Sequence, residues 1–214
     1  MRQLVLEISP QPEPTFEGFV TGANAELISS LRQLAAGELS ESIVYLWGEP
    51  GSGRSHLLGA TLRAAANPGA LVIADDVDGL DAPGQIELFN RINEIRELRA
   101  ARGAEESGTV IAAGSAPPAQ LALRDELKSR LAWGLVYQVK PLTDDEKAAC
   151  LRDAAARRGM RIPDEVLSYL LTHVRRDLPS LVAILAHLDT YSLSHQRPVT
   201  VPLVREMLAS AERI

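Results

Sequence analysis

The chain has 214 residues, 46% of them apolar, with a net charge of −6 and a pI near 5.3. That is room for one α/β domain and a small satellite, and no apolar run approaches the ~18 residues of a membrane span. The acidic balance, with no basic block longer than two residues, excludes a strong, salt-dependent grip on duplex DNA as the main activity.

Residues 1–14 carry Pro10, Pro12 and Pro14 and no helical period, so they read as a flexible tail without the apolar core of a signal peptide. Leu27, Leu31 and Leu34 mark a helix that stops at Gly37. Ile43–Trp47 is a buried strand, and it runs straight into Gly48–Ser55, GEPGSGRS. This segment matches the phosphate-binding loop G-x-x-x-x-G-K-[ST] except at one position, where Arg54 stands for lysine. Gly48, Gly51 and Gly53 let the backbone aim successive N–H groups at a phosphate, beside the positive end of the following helix. Ser52, Arg54, Ser55 and His56 complete the candidate contacts, with Ser55 placed to hold Mg²⁺ against phosphate oxygens. Arg54 keeps the charge but replaces a slim ammonium with a planar fork. The plainer alternative is a glycine-rich turn that merely connects strand to helix.

The loop helix runs from about Arg54 to Ala66 and is ended by Asn67-Pro68-Gly69. Ala70–Ala74 is a second strand, closed by Asp75 and Asp76. An acid there holds the Mg²⁺ water shell while its neighbour polarises the attacking water; the alternative is a pair of loop aspartates capping a helix, with Asp78 and Asp81 close behind. Ile86, Phe89, Ile92 and Ile95 predict the buried face of a long charged helix. Thr109–Ala113 and Leu135–Val139 are the third and fourth strands. Strands alternating with helices give a parallel sheet, whose ligands bind beyond the carboxyl ends, where Gly48, Asp75 and Ser115 fall. From Thr143 the pattern is purely helical. Thr143 and Glu146 have capping-box spacing, that helix ends at Gly159, and others start near Pro163, Asp177 and Thr200. The expected organisation is a tail (1–14), an α/β nucleotide-binding domain (15–142) and a helical lid (143–214), hinged at Pro141-Leu142. The lone Cys150 forms no internal disulfide and fits a reducing cytoplasm.

Several motifs in order carry a resemblance. TFEGFVTGAN (15–24), YLWGEPGSGRSHLL, the Asp75-Asp76 strand, SAPPAQL and SRLAWGLVYQVKPL are similar to AAA+ ATPases related to the replication initiator DnaA, and specifically to the Hda family. Arg130, unremarkable by composition, falls in the segment that resembles the one bearing the arginine finger, with Arg124 the next candidate. Arg176 in HVRRDLPSL resembles the second sensor arginine, with Arg175 competing, and Ser115 occupies the first-sensor position. Gln3, Leu4, Leu6 and Ile8 resemble the family's sliding-clamp-binding peptide. The resemblance implies a protein bound to ADP (or ATP) and Mg²⁺, as monomer or homodimer. It would dock on the DNA-loaded sliding clamp (the DNA polymerase III beta subunit) and stimulate ATP hydrolysis by DnaA, inhibiting further initiation. Its own ATPase would be weak, since Arg54, Asp76 and Ser115 all depart from the commoner residues. The alternatives are an autonomous AAA+ ATPase or an accessory subunit of helicase- or clamp-loader type. One departure is large: three residues, Asn67–Gly69, stand where AAA+ domains usually insert a strand and a helix. The expected strand order is then fourth, first, third, second.

Overall fold

The computed structural model describes residues 13–103, 107–174 and 177–211. The chain divides into two compact units at Lys140/Pro141.

The first unit is built on a four-stranded parallel sheet, β1 (Ile43–Trp47), β2 (Leu71–Ala74), β3 (Thr109–Gly114) and β4 (Leu135–Gln138), in the order β2-β3-β1-β4. This is the order expected from the sequence. Ile43 pairs with Val110, Val44 with Leu135, and Leu71 with Thr109. The two central strands are apolar on both faces because both are covered. β1 residues Val44 and Leu46 join Ile111, Ala113 and Val139 beneath α1 (Ala25–Ala36) and α2 (Arg54–Ala64). Ile43 and Tyr45 join Val110 and Ala112 on the other face, against α3 (Ala82–Arg102) and α4 (Asp125–Leu131). The period-2 alternation of the strand thus sorts its side chains into two separate cores. Between α2 and β2 there is a single 3-10 turn, Pro68–Ala70. β2 is an edge strand, so the short connection leaves the sheet interior intact.

Local signals set the helix ends. Gly37, at φ 79°, donates to the carbonyls of Gln33 and Leu34 and closes α1. Asn24, ahead of α1, instead clasps Lys140: its amide donates to the Lys140 carbonyl (2.9 Å) and its Oδ1 accepts from the Lys140 N–H (2.8 Å).

α3 departs from expectation. Its buried residues are Leu88, Ile92 and Ile95, while Ile86 is 45% exposed and Phe89 only partly covered. Positions 88, 92 and 95 follow the i, i+4, i+7 rule, and residue 86 sits two positions away, near the opposite face.

The second unit comprises α5 (Asp144–Arg157), α6 (Asp164–His173), α7 (Leu178–His195) and α8 (Val201–Ala211) around its own core of Leu151, Val166, Leu170, Leu181, Leu185 and Leu203. Thr143 Oγ1 accepts from the Glu146 N–H (3.2 Å) and Glu146 Oε2 accepts from the Thr143 N–H (2.8 Å), a complete capping box. Among the described residues no helix is long and apolar enough to cross a membrane.

Candidate functional site

The glycine loop leaves β1 at its carboxyl end, and packing dictates its glycines. A Cβ on Gly48 would stand 2.6 Å from the Val139 carbonyl and 2.9 Å from Ser52 Oγ. Gly53 caps α2 at φ 100°, and a Cβ there would sit 2.6 Å from the Phe19 ring. No side chain caps α2, so its first-turn N–H groups are left for another acceptor. Ser52 is buried, and its Oγ and Arg54 Nη1 are the buried side-chain polar atoms without a partner among the described residues. Such atoms are rare in folded proteins and call for an occupant. Both belong to the loop, so the residues present suit a phosphate.

Around the loop the acidic side chains have distinct tasks. Arg54, only 11% exposed, reaches Asp76 through Nη2 at 3.3 Å from Oδ1. Asp76 stands in the left-handed region, φ 45°, ψ 49°. Its N–H donates to Asp75 Oδ1 at 2.9 Å. Asp78 accepts from the Ser115 N–H at 2.9 Å, tying the end of β3 to the turn after β2. Burial pushes the Asp78 carboxyl up, but the Ser115 hydrogen bonds and the Arg54 cation outweigh it and hold the group below the ordinary carboxylate range. Tyr45, beneath them, donates to the Ala116 carbonyl (2.8 Å), and burial raises its hydroxyl far above the usual phenol value. Ser55 and Asp75 are exposed, on the open side of the site. His56 is committed elsewhere: Nε2 meets the Thr15 carbonyl at 2.8 Å and its ring lies 5.9 Å from that of Phe19. It straps the segment before α1 to the loop helix.

The fold therefore brings Gly48, Gly51, Ser52, Gly53, Arg54, Ser55, Asp75, Asp76 and Ser115 to the carboxyl ends of β1, β2 and β3. Arg130 is not among them. It lies in the last turn of α4, shortly before β4 begins, toward the amino ends of the strands. Its Nε donates to Asn93 Oδ1 at 2.8 Å, and its guanidinium carbon lies 3.9 Å from the Trp133 ring centroid and 5.3 Å from that of Phe89. Arg96 lies 3.9 Å from the same Trp133 ring. Arg124 lies 3.7 Å from the Glu126 carboxylate. Arg175, Arg176 and the peptide residues Gln3, Leu4, Leu6 and Ile8 lie outside the described residues.

Asp78, Asn93 and Trp133 were not legible as site residues in the sequence. Asp78 is one of four aspartates between 75 and 81, and only the fold brings it to Ser115. For Asn93 a signal exists: Phe89, Asn93 and Arg96 follow i, i+4, i+7 and make one stripe along α3.

Residues 144–208 match the family described as Hda, lid domain. Among solved structures the chain is similar to domain III of the replication initiation protein DnaA from Thermotoga maritima. The identity is 19% and the TM-score 0.71, over 93% of this chain and 97% of that one. It is also similar to replication initiator DnaA bound to AMPPCP and single-stranded DNA, at 20% identity and TM-score 0.66, over 86% and 68% of the two chains. The Thermotoga maritima RuvB Holliday junction branch migration motor matches at 13% identity and TM-score 0.66, over 94% and 72%. At these identities the likeness is one of fold: an α/β unit of AAA+ type followed by a helical lid. The second unit is thus matched as an Hda lid, and the chain as a whole has the fold of the initiator's domain III.

Proposed function

We propose that this protein is a negative regulator of replication initiation that holds ADP, docks on the DNA-loaded sliding clamp, and supplies Arg130 in trans to the ATP bound by DnaA. The observation that carries the reading is how Arg130 is held. Nε is spent on Asn93 and the guanidinium lies over Trp133 and Phe89, while neither Nη has a partner among the described residues. An arginine anchored at its near nitrogen presents two parallel donors, the geometry that suits phosphate oxygens. Its place toward the amino ends of the strands keeps it from the chain's own glycine loop, so its target belongs to another molecule.

The chemistry asked of it is electrostatic. Water attacks the γ-phosphorus of DnaA's ATP, the bond to the ADP oxygen breaks, and Arg130 stabilises the charge spread over the phosphoryl oxygens. The chain's own nucleotide serves as structure. The loop N–H groups and Ser52 receive the β-phosphate, and Ser55 with Asp75 would hold Mg²⁺, which screens the phosphate charge when bound. Arg54 is engaged with Asp76, which leaves neither free for hydrolysis and supports slow turnover by the lone protein.

Arg130→Ala tests the reading. It should leave folding, nucleotide binding and clamp binding intact and remove stimulation of DnaA, since an arginine finger in trans is worth roughly 10³–10⁵ in rate. The assay is conversion of ATP-loaded to ADP-loaded DnaA in the presence of clamp-loaded DNA. Retention of most activity would place the finger elsewhere, with Arg124 next in line.

A further inference from the structure

The arginines of the α/β unit are not alike. Arg32, Arg54, Arg63, Arg91 and Arg124 each meet a carboxylate. Arg99 spends its guanidinium on the carbonyls of Ser40 and Gly108 and on two hydroxyls, and Arg102 is partnered as well. Among the described residues of this unit Arg96 has no oxygen acceptor at all, and Arg130 has none for either Nη. Both guanidinium carbons lie 3.9 Å from the centroid of one ring, Trp133, which is itself 49% exposed. The two cations are therefore within twice that distance of each other, and like charges so close oppose one another. The helix does nothing to relieve Arg96: its neighbours at i−4, i−3, i+3 and i+4 are Ile92, Asn93, Arg99 and Ala100, none of them acidic.

We infer that Arg96 and Arg130 form one anion receptor on Trp133, and that Arg96 is a second phosphate-binding cation delivered to the polyphosphate of a nucleotide held by the partner. This rests on the reading of Arg130 as acting in trans. Phe89, Asn93 and Arg96 make one α3 stripe. Its first two members carry Arg130 and the third contributes its own charge, with the indole as spacer. Cation–π contact fixes both forks without consuming their N–H donors. A nucleic-acid strand fits the surface less well. Stacking a base needs an open aromatic face, whereas the guanidiniums lie over this one, and the chain is acidic overall.

The test uses the full chain, clamp-loaded DNA and ATP-loaded DnaA, followed in single turnover with the regulator varied to saturation. Arg96→Ala and Arg96→Met should both slow conversion about ten- to a hundredfold, and the loss should persist at saturation. Arg96→Met keeps packing on the indole without the charge, so equal losses assign the effect to the cation. Arg96→Lys should recover part of the rate. Melting temperatures should be unchanged, since Arg96 is exposed. A wild-type rate for Arg96→Ala alongside an inactive Arg130→Ala overturns this inference and leaves the Arg130 reading standing. Full activity in both variants overturns both. Recovery at saturation reduces Arg96 to a docking residue. Weakened binding to a single-stranded oligonucleotide, with the single-turnover rate intact, assigns the pair to phosphodiesters instead; either result overturns the inference.

Discussion

Position 54 shows what a planar fork does in a loop shaped for an ammonium. The guanidinium reaches across to the end of β2 and takes the Asp76 carboxylate at 3.3 Å, while its Nη1 is buried without a partner. Asp76 thus competes, from within the chain, for the cation that a β-phosphate would engage. Removing that competitor should tighten binding. The pair is exposed on the Asp76 side, at 72%, and such pairs are worth about 0–1 kcal/mol, so Asp76→Asn should bind ADP up to about fivefold more tightly. The titration belongs in EDTA, where any loss of Mg²⁺ affinity is silent. In an Arg54→Gln background the same substitution should change nothing, and an equal gain there would show that Asp76 acts through bulk charge rather than through Arg54. The glycines of this loop were legible in the sequence because close approach and positive φ restrict those positions. The anchor of Arg130 was not, because Asn93 lies 37 positions away and no local pattern links an amide on α3 to an arginine on α4.

Secondary elements were the most legible scale, for a physical reason. Four apolar runs of strand length, each followed by a helix or the shift to helices, imply a parallel sheet. Its order follows from the resemblance to AAA+ domains, and the central two strands are buried on both faces. The α3 face was misjudged because counting apolar residues at 86, 89, 92 and 95 picks a plausible stripe, whereas burial follows Leu88. The charged character of α3 leaves few apolar residues to fix its phase, and contact with α4 and β3 decides it. The capping box of α5 was the reverse case: two side chains, three positions apart, suffice. Thr143→Ala should cost about 1 kcal/mol, read as a lower urea midpoint for the helical unit. Hydrogen bonds from the Thr143 N–H and hydroxyl hold the Glu146 carboxyl below its ordinary value. Its contribution is therefore present above the unfolded carboxylate pKa and is lost as pH falls through the lowered folded one. In Thr143→Ala the acid limb of the stability profile should be flatter in part, since the backbone N–H of residue 143 still donates to Glu146. An unchanged limb would mean that the hydroxyl does not contribute to the Glu146 titration.

At the scale of the whole molecule, the proposed function asks a small acidic protein to find DnaA on DNA. Its net charge of −6 gives no attraction to the duplex, and a receptor of two arginines beside one tryptophan is too small to hold a partner strongly by itself. A tether resolves the difficulty. If residues 1–8 bind the clamp, the Arg130 surface is presented near DnaA at an effective concentration in the millimolar range for a short flexible linker. The peptide itself need not bind tightly. With Gln3 hydrogen-bonding at one pocket and Leu6 and Ile8 buried in an apolar groove, a modest affinity near micromolar, about −8 kcal/mol, is enough. Deleting residues 1–8, or changing Gln3 and Leu4 to alanine, should abolish co-elution with the clamp and leave the melting temperature unchanged. The tether account adds a sharper expectation. The truncated chain should fail to stimulate DnaA at nanomolar concentration but recover activity as its concentration rises toward millimolar, because Arg130 is intact and only its delivery is lost. Arg130→Ala should recover nothing at any concentration. Clamp binding by the truncated chain equal to that of the full chain would remove the tail from the docking role.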